Sequence, residues 1–165
     1  SSRARSDPPP METAHPLVVH FPIALLLAAI ALDFLALGLK RPGLHRVALW
    51  NLALGTLGAG AAVWTGYRAA DIAKHTFEIH QVMELHRKLG IATLILGSLI
   101  LVWRLWKRDR LGGRARSLTL LLMLAMAGTL SYGAHLGGRL VYEFGVGGPF
   151  GTTQPVSVDE HHHEH

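Results

Sequence analysis

Four long apolar segments constrain this chain more than any other feature of its sequence. The first runs from Leu17 to Leu39, 23 residues that include a single charged side chain. A helix needs roughly 20 apolar residues to cross the hydrocarbon of a bilayer. The other segments lie at about 47–67, 89–106 and 118–136, and the third helix is expected to begin near Thr76. We therefore predict an all-α membrane protein, a bundle of four transmembrane helices.

Composition supports a membrane protein and excludes several other classes. Half of the residues are hydrophobic, and they are gathered into blocks rather than spread along the chain. The net charge of +5 comes mostly from short connections between the blocks, so membrane topology explains it better than nucleic-acid binding. The chain has no cysteine. Disulfides, covalently attached c-type haem and cysteine-ligated metal centres are therefore excluded on this chain.

The sequence divides into a membrane domain and two polar tails. The tail at residues 1–13 is rich in proline, the membrane domain covers 14–148, and a polar tail covers 149–165. The first tail lacks a short apolar core with a cleavage site, so the first span is interpreted as a retained helix. The second tail is a weak, compositional metal-binding signal, and a solvated end is favoured. Its histidines are His161, His162, His163 and His165.

The distribution of lysine and arginine predicts the orientation. The connections after spans one and three carry nine basic residues and one acid, whereas the other side carries seven basic residues and nine acids. Basic connections stay in the cytoplasm. Both termini are therefore predicted outside, in the periplasm, with the protein in the bacterial inner membrane. Three tryptophans fall at the inferred cytoplasmic interface: Trp50, Trp103 and Trp106.

The chain has eleven histidines, many for its length. The predicted topology assigns each histidine of the membrane domain to one face of the membrane. Six of them fall in one layer near the outer face, and only His45, interpreted as a loop residue, lies on the far side. The six are His15, His20, His75, His80, His86 and His135. A histidine at the edge of a membrane span costs free energy unless it is paired or used. The layer is therefore the leading candidate for a site.

Helical spacing selects among these histidines and adds small residues. His86 shares an apolar face of span three with Ile79, Met83 and Gly90, whereas His80 falls on the opposite, wet face. His135 ends a stripe in span four that also contains Gly128 and Ser131. In span two a stripe of small residues permits close approach of a helix or of a flat ligand. That stripe consists of Gly55, Ala59, Ala62 and Gly66.

Two kinds of ligand fit such a layer. Two imidazoles from different helices are the usual way to hold a b-type haem, with glycines admitting the porphyrin, and three imidazoles could instead hold copper or zinc. A hydrogen-bonded polar cluster that caps the bundle is the alternative without a ligand. We predict His20 and His86 as the axial pair of one haem. His135 is the first substitute and His15 the second, with small residues beside the haem at Gly55, Gly66 and Gly128.

Several motifs resemble a known family. They are His15-Pro-Leu-Val-Val-His-Phe-Pro-Ile-Ala-Leu25, Asp33 in the same helix, Thr65-Gly-Tyr67, His86, and Gly137-Gly-Arg-Leu-Val-Tyr-Glu-Phe-Gly-Val146. Together these segments, spread over about 14–148, are similar to the bacterial membrane domain catalogued as domain of unknown function 2231. The resemblance implies a layout like that of cytochrome b bundles and electron transfer with another redox protein, such as a Rieske or cytochrome c module. The far side offers only His45, so a single haem layer is expected.

Three classes of function remain open from the sequence. The first is a haem-binding electron-transfer subunit that works with a redox protein and has quinone as a candidate substrate. The second is a protein that handles metal ions, copper or zinc, through the histidine layer. The third is a cofactor-free structural subunit of a larger membrane complex. Neither a nucleophile–base pair nor a phosphate loop is evident, so enzymatic activity of the chain alone is not predicted. Asp33 is expected to pair with a polar group or to serve a proton or quinone.

Overall fold

The structure is a computed structural model that describes residues 10–70, 77–107 and 113–146, with side chains from 18–68, 77–107 and 113–146. It contains four helices: α1 (Pro10–Gly38), α2 (Pro42–Ala70), α3 (Phe77–Trp106) and α4 (Gly113–Tyr142). All four are long and apolar enough to cross a membrane, and the described ranges contain no strand. The prediction of an all-α, four-helix membrane fold is confirmed.

A short turn joins α1 to α2. The N–H of Arg41 donates to the carbonyl of Ala36 at 3.0 Å, and Lys40 lies between them with a positive φ of 53°. This is the hydrogen-bond pattern of a Schellman helix end, with lysine at the position that glycine usually occupies. Pro42 then opens α2, where its missing N–H has no helical partner to lose. The two helices must therefore run antiparallel.

The remaining helices continue this up-and-down order. Gly55 of α2 packs on Leu26 of α1, and Gly97 of α3 packs on Thr56 of α2. Between α3 and α4 the hydroxyls of Thr93 and Thr129 lie 2.9 Å apart. Packing is most extensive between α1 and α2 and between α3 and α4, and it is least extensive between α1 and α4. Each helix is thus flanked by two antiparallel neighbours.

This order creates two chemically different ends. We call the end with the 39–41 turn, Trp106 and Gly113 the basic end, and the end with the first turns of α1 and α3 the histidine end. Which end faces the cytoplasm stays a prediction.

The buried core lies between the middle of the bundle and the basic end. At the histidine end, α2 has no buried residue from Gly60 to Arg68, and α3 has none from Phe77 to Ala92. Among the described side chains at this end, α4 continues its buried stripe with Gly133, Leu136 and Leu140. The hydrophobic core comprises Leu26, Ala29, Ile30, Leu52, Ala59, Ile100, Met123 and Met126.

Candidate functional site

His86 is a predicted site residue whose side chain contacts a neighbouring helix. It lies on α3, half-buried, and its Nδ1 is 2.8 Å from the carbonyl oxygen of Gly133 on α4. A carbonyl only accepts, so Nδ1 is the donor, and in the neutral ring Nε2 then carries the lone pair. Histidines that bind metals commonly have their other ring nitrogen fixed in this way.

A glycine on α4 allows the imidazole to approach closely. A Cβ added to Gly137 would lie 3.0 Å from Cε1 of His86. A larger residue at that position would push against the ring and disturb the hydrogen bond to Gly133. Sequence reasoning assigned no site role to Gly133 or Gly137, although both belong to a glycine-rich stretch near the end of α4.

The small residues around the histidine end leave room. A Cβ on Gly60 would be 3.9 Å from Leu94, and one on Gly90 would be 3.9 Å from Val63, both ordinary contact distances. By contrast, a Cβ on Gly55 would be 2.9 Å from Leu26. Gly55 and the buried Ala59 therefore serve helix packing, the simpler of the two interpretations of this stripe, whereas Gly66 is half-buried at the more open end.

His20 lies deeper in the bundle than His86. Because Pro22 contacts Gly58, His20 lies level with Gly60, which faces Leu94 of α3. Leu94 is eight residues from His86, or about 12 Å along a helix. The side chain of His20 is exposed, and its residue lies about 12 Å from the depth of His86 along the bundle.

His15 lies closer to the depth of His86. Arg87 stands over the ring of Tyr67, with Cζ 5.4 Å from the ring centroid, so Tyr67 is level with the start of α3. α1 and α2 run antiparallel, and Pro22 packs on Gly58. Tyr67, nine residues after Gly58, therefore lies about level with residue 13, which is nine residues before Pro22. His15 is therefore within about 3 Å of the depth of His86 at 1.5 Å per residue. Its side chain lies outside the described residues.

His135 shares this depth but faces away from the bundle. It is exposed and stacks on Tyr132 of the same helix, with ring centroids 6.3 Å apart. Gly128 and Ser131 are exposed as well, and a Cβ on Gly128 would have nothing within 4 Å.

The remaining histidines add no cluster. His80 is exposed, as its wet face predicts. Within the described side chains no group of three or more metal-binding residues comes together. The following lie outside the described residues: His75, His161, His162, His163 and His165.

A second polar cluster lies at the basic end. Oδ1 of Asp33 is 2.7 Å from Nδ1 of His45, and Oδ2 accepts a hydrogen bond from Arg104. Arg104 also donates to the backbone carbonyl of His45 at 3.0 Å. The Arg104 and Asp33 side chains are 1% and 4% exposed. The cluster ties together α1, α2 and α3 and crosses the diagonal of the bundle.

Sequence reasoning predicted part of this cluster. The expectation that Asp33 pairs with a polar group is confirmed. The interpretation of His45 as a loop residue is wrong, because α2 begins at Pro42 and carries it into the bundle. Arg104, counted as a cation of a connection, is buried. The available signal was its position inside the third apolar segment, two residues before that segment ends.

Comparison with known proteins identifies the family. No curated protein and no solved structure matches this chain. The family described as a predicted membrane protein, DUF2231, matches residues 11–148. That match spans all four helices and every motif on which the resemblance rests. The chain is therefore an integral membrane protein that belongs to the DUF2231 family.

Proposed function

We propose that this protein is an electron-transfer subunit that binds one b-type haem at its histidine end, with His86 as an axial ligand. The observation that carries the proposal is the hydrogen bond from Nδ1 of His86 to the carbonyl of Gly133. This bond fixes the ring between α3 and α4. Haem supplies one-electron chemistry, and the protein supplies the axial nitrogens and the surroundings that set the potential.

The residues of the histidine end fit a flat ligand. A Cβ added at Gly60 or Gly90 would make only an ordinary contact at 3.9 Å, and none of the described side chains of α2 from 60 to 68 or of α3 from 77 to 92 is buried. For the second axial position we favour His15, because α1 brings it to the depth of His86. His20 and His135 are the alternatives.

The basic end supports a single haem layer. Its one histidine in the described ranges, His45, already pairs with Asp33 through Nδ1. Electrons would therefore enter and leave at the histidine end, which we propose to be periplasmic. A redox protein or a membrane quinone is the partner that this arrangement suits.

The test is the reduced-minus-oxidised spectrum of the full chain produced with a haem supply. We expect sharp low-spin bands in the wild type and their loss in His86→Ala and His15→Ala. His20→Ala and His80→Ala should keep them, and His80 is a matched control because it is exposed on the same helix. Circular dichroism of each variant checks that loss of haem is not loss of fold.

Other outcomes point to different conclusions. If His20→Ala loses the bands and His15→Ala keeps them, the axial pair is His20 and His86, as the sequence predicts, and α1 must shift along its axis. A wild type without haem but with stoichiometric copper or zinc supports metal-ion handling. A wild type with neither, and firmly held in a larger complex, supports a structural subunit.

A further inference from the structure

The charged residues at the two ends differ in their partners. At the histidine end, Lys88 pairs with Glu84 and Arg139 pairs with Glu143, each at 2.8 Å. At the basic end, six cations form no ion pair within the described part of the chain. They are Lys40, Arg41, Arg46, Lys107, Arg114 and Arg116. The only carboxylate described at this end, Asp33, is already engaged by Arg104 and His45.

The topology brings cations of two helices to the same end of one seam, the contact between α1 and α4. Lys40 and Arg41 follow the end of α1, and Arg114 and Arg116 belong to the first turn of α4. α1 and α4 are neighbours, and theirs is the least extensive contact between adjacent helices. The helix end at 36–41 and Pro42 fix the turn, so its two cations are held beside the seam rather than carried on a long loop.

We propose that this α1–α4 seam binds the headgroup of an anionic phospholipid. Arginines and lysines on two helices can share one phosphate, and arginine binds phosphate with two parallel hydrogen bonds. The site also lies at headgroup depth. Trp103 and Trp106 belong there, and Lys107 stands over both rings, 5.2 and 4.9 Å from their centroids. Exposed Leu39 and Leu118 lie next to the cations and would contact the acyl chains.

A lipid suits this site better than a soluble anion. Cations near an anionic membrane surface each contribute to binding, and clusters of them select acidic headgroups. The proposal does not depend on haem, since it concerns the opposite end of the bundle.

The experiment is native mass spectrometry of the full chain released from detergent with equal amounts of phosphatidylglycerol and phosphatidylcholine of the same acyl chains. In the wild type we expect at least tenfold more phosphatidylglycerol adduct than phosphatidylcholine adduct. Lys40→Gln/Arg41→Gln and Arg114→Gln/Arg116→Gln should each bring the ratio close to one. The matched control is Arg68→Gln/Arg87→Gln at the histidine end, which should keep the wild-type ratio.

Combining the two pairs tests whether they share one headgroup. With a shared site, the fourfold variant loses no more preference than either pair alone. If the losses instead multiply, the cations act as separate surface charges and the seam site is overturned. An equal affinity of the wild type for both lipids also overturns it. Circular dichroism of the variants confirms that the fold is kept.

Discussion

The two halves of this bundle differ in how closely α1, α2 and α3 pack against one another. In the half towards the basic end, a Cβ on Gly97 would lie 2.8 Å from Oγ1 of Thr56, and Gly55 is similarly tight against Leu26. In the histidine half, Gly60 and Gly90 would meet nothing closer than 3.9 Å. Between α1, α2 and α3, glycine therefore permits close packing in one half and leaves only ordinary contacts in the other. Glycine spacing alone does not distinguish a helix contact from a ligand space.

The polar residues follow the same division. The Asp33–Arg104 pair is buried and satisfied by further hydrogen bonds, as a charge within the hydrocarbon requires. The histidine half carries half-buried and exposed imidazoles instead, among them His86 and His135. The buried ion pair and the imidazoles of the predicted site therefore lie at opposite ends of the bundle.

The largest expected effect is the labelling of introduced cysteines, which should be all-or-none. It shows which end of the bundle faces which side of the membrane. The chain has no cysteine, so single exposed cysteines can be introduced at Ser117, near the basic end, and at Glu143, near the histidine end. In intact cells an impermeant thiol reagent should label Glu143→Cys and miss Ser117→Cys, because basic ends stay in the cytoplasm. The reverse pattern would place the histidine layer inside. Labelling after lysis shows that both positions are reactive.

Breaking the buried ion pair should cost the most stability. Arg104→Leu leaves the Asp33 charge without its main partner, and removing one member of a buried pair costs about 3–5 kcal/mol. Unfolding in detergent, followed by circular dichroism, measures the loss. The double variant Arg104→Leu/Asp33→Leu should recover most of it, because neither charge is then left buried. A double variant as unstable as the single one would show that the cluster contributes by packing.

Glycine substitutions compare the two halves directly. Gly97→Ala places a methyl group against Thr56 and should destabilise by about 1–3 kcal/mol through overpacking. Gly90→Ala, on the same helix, meets only an ordinary contact and should be neutral or gain up to about 1 kcal/mol from helix propensity. Thermal midpoints of the two proteins in the same detergent give the comparison. Equal losses would mean that the histidine half is packed as tightly as the other.

Sequence patterns determined the parts of this structure that depend on one helix at a time. Hydropathy over about 20 residues located all four spans, because a helix must be apolar along its length to cross a bilayer. Helical periodicity placed His86 on an inward face and His80 on an outward one, and both lie as predicted. The need of a buried carboxylate for a partner predicted that Asp33 is paired.

Relations between helices were decided only by the tertiary structure. Whether His15 or His20 is level with His86 depends on how far α1 is displaced along α2, and that displacement is set by contacts such as Pro22 on Gly58. The partners of Asp33 are 12 and 71 residues away, on helices whose relative rotation no single-helix pattern fixes. Periodicity gives the face of a residue, but depth and rotation between helices follow from side-chain packing across the whole bundle.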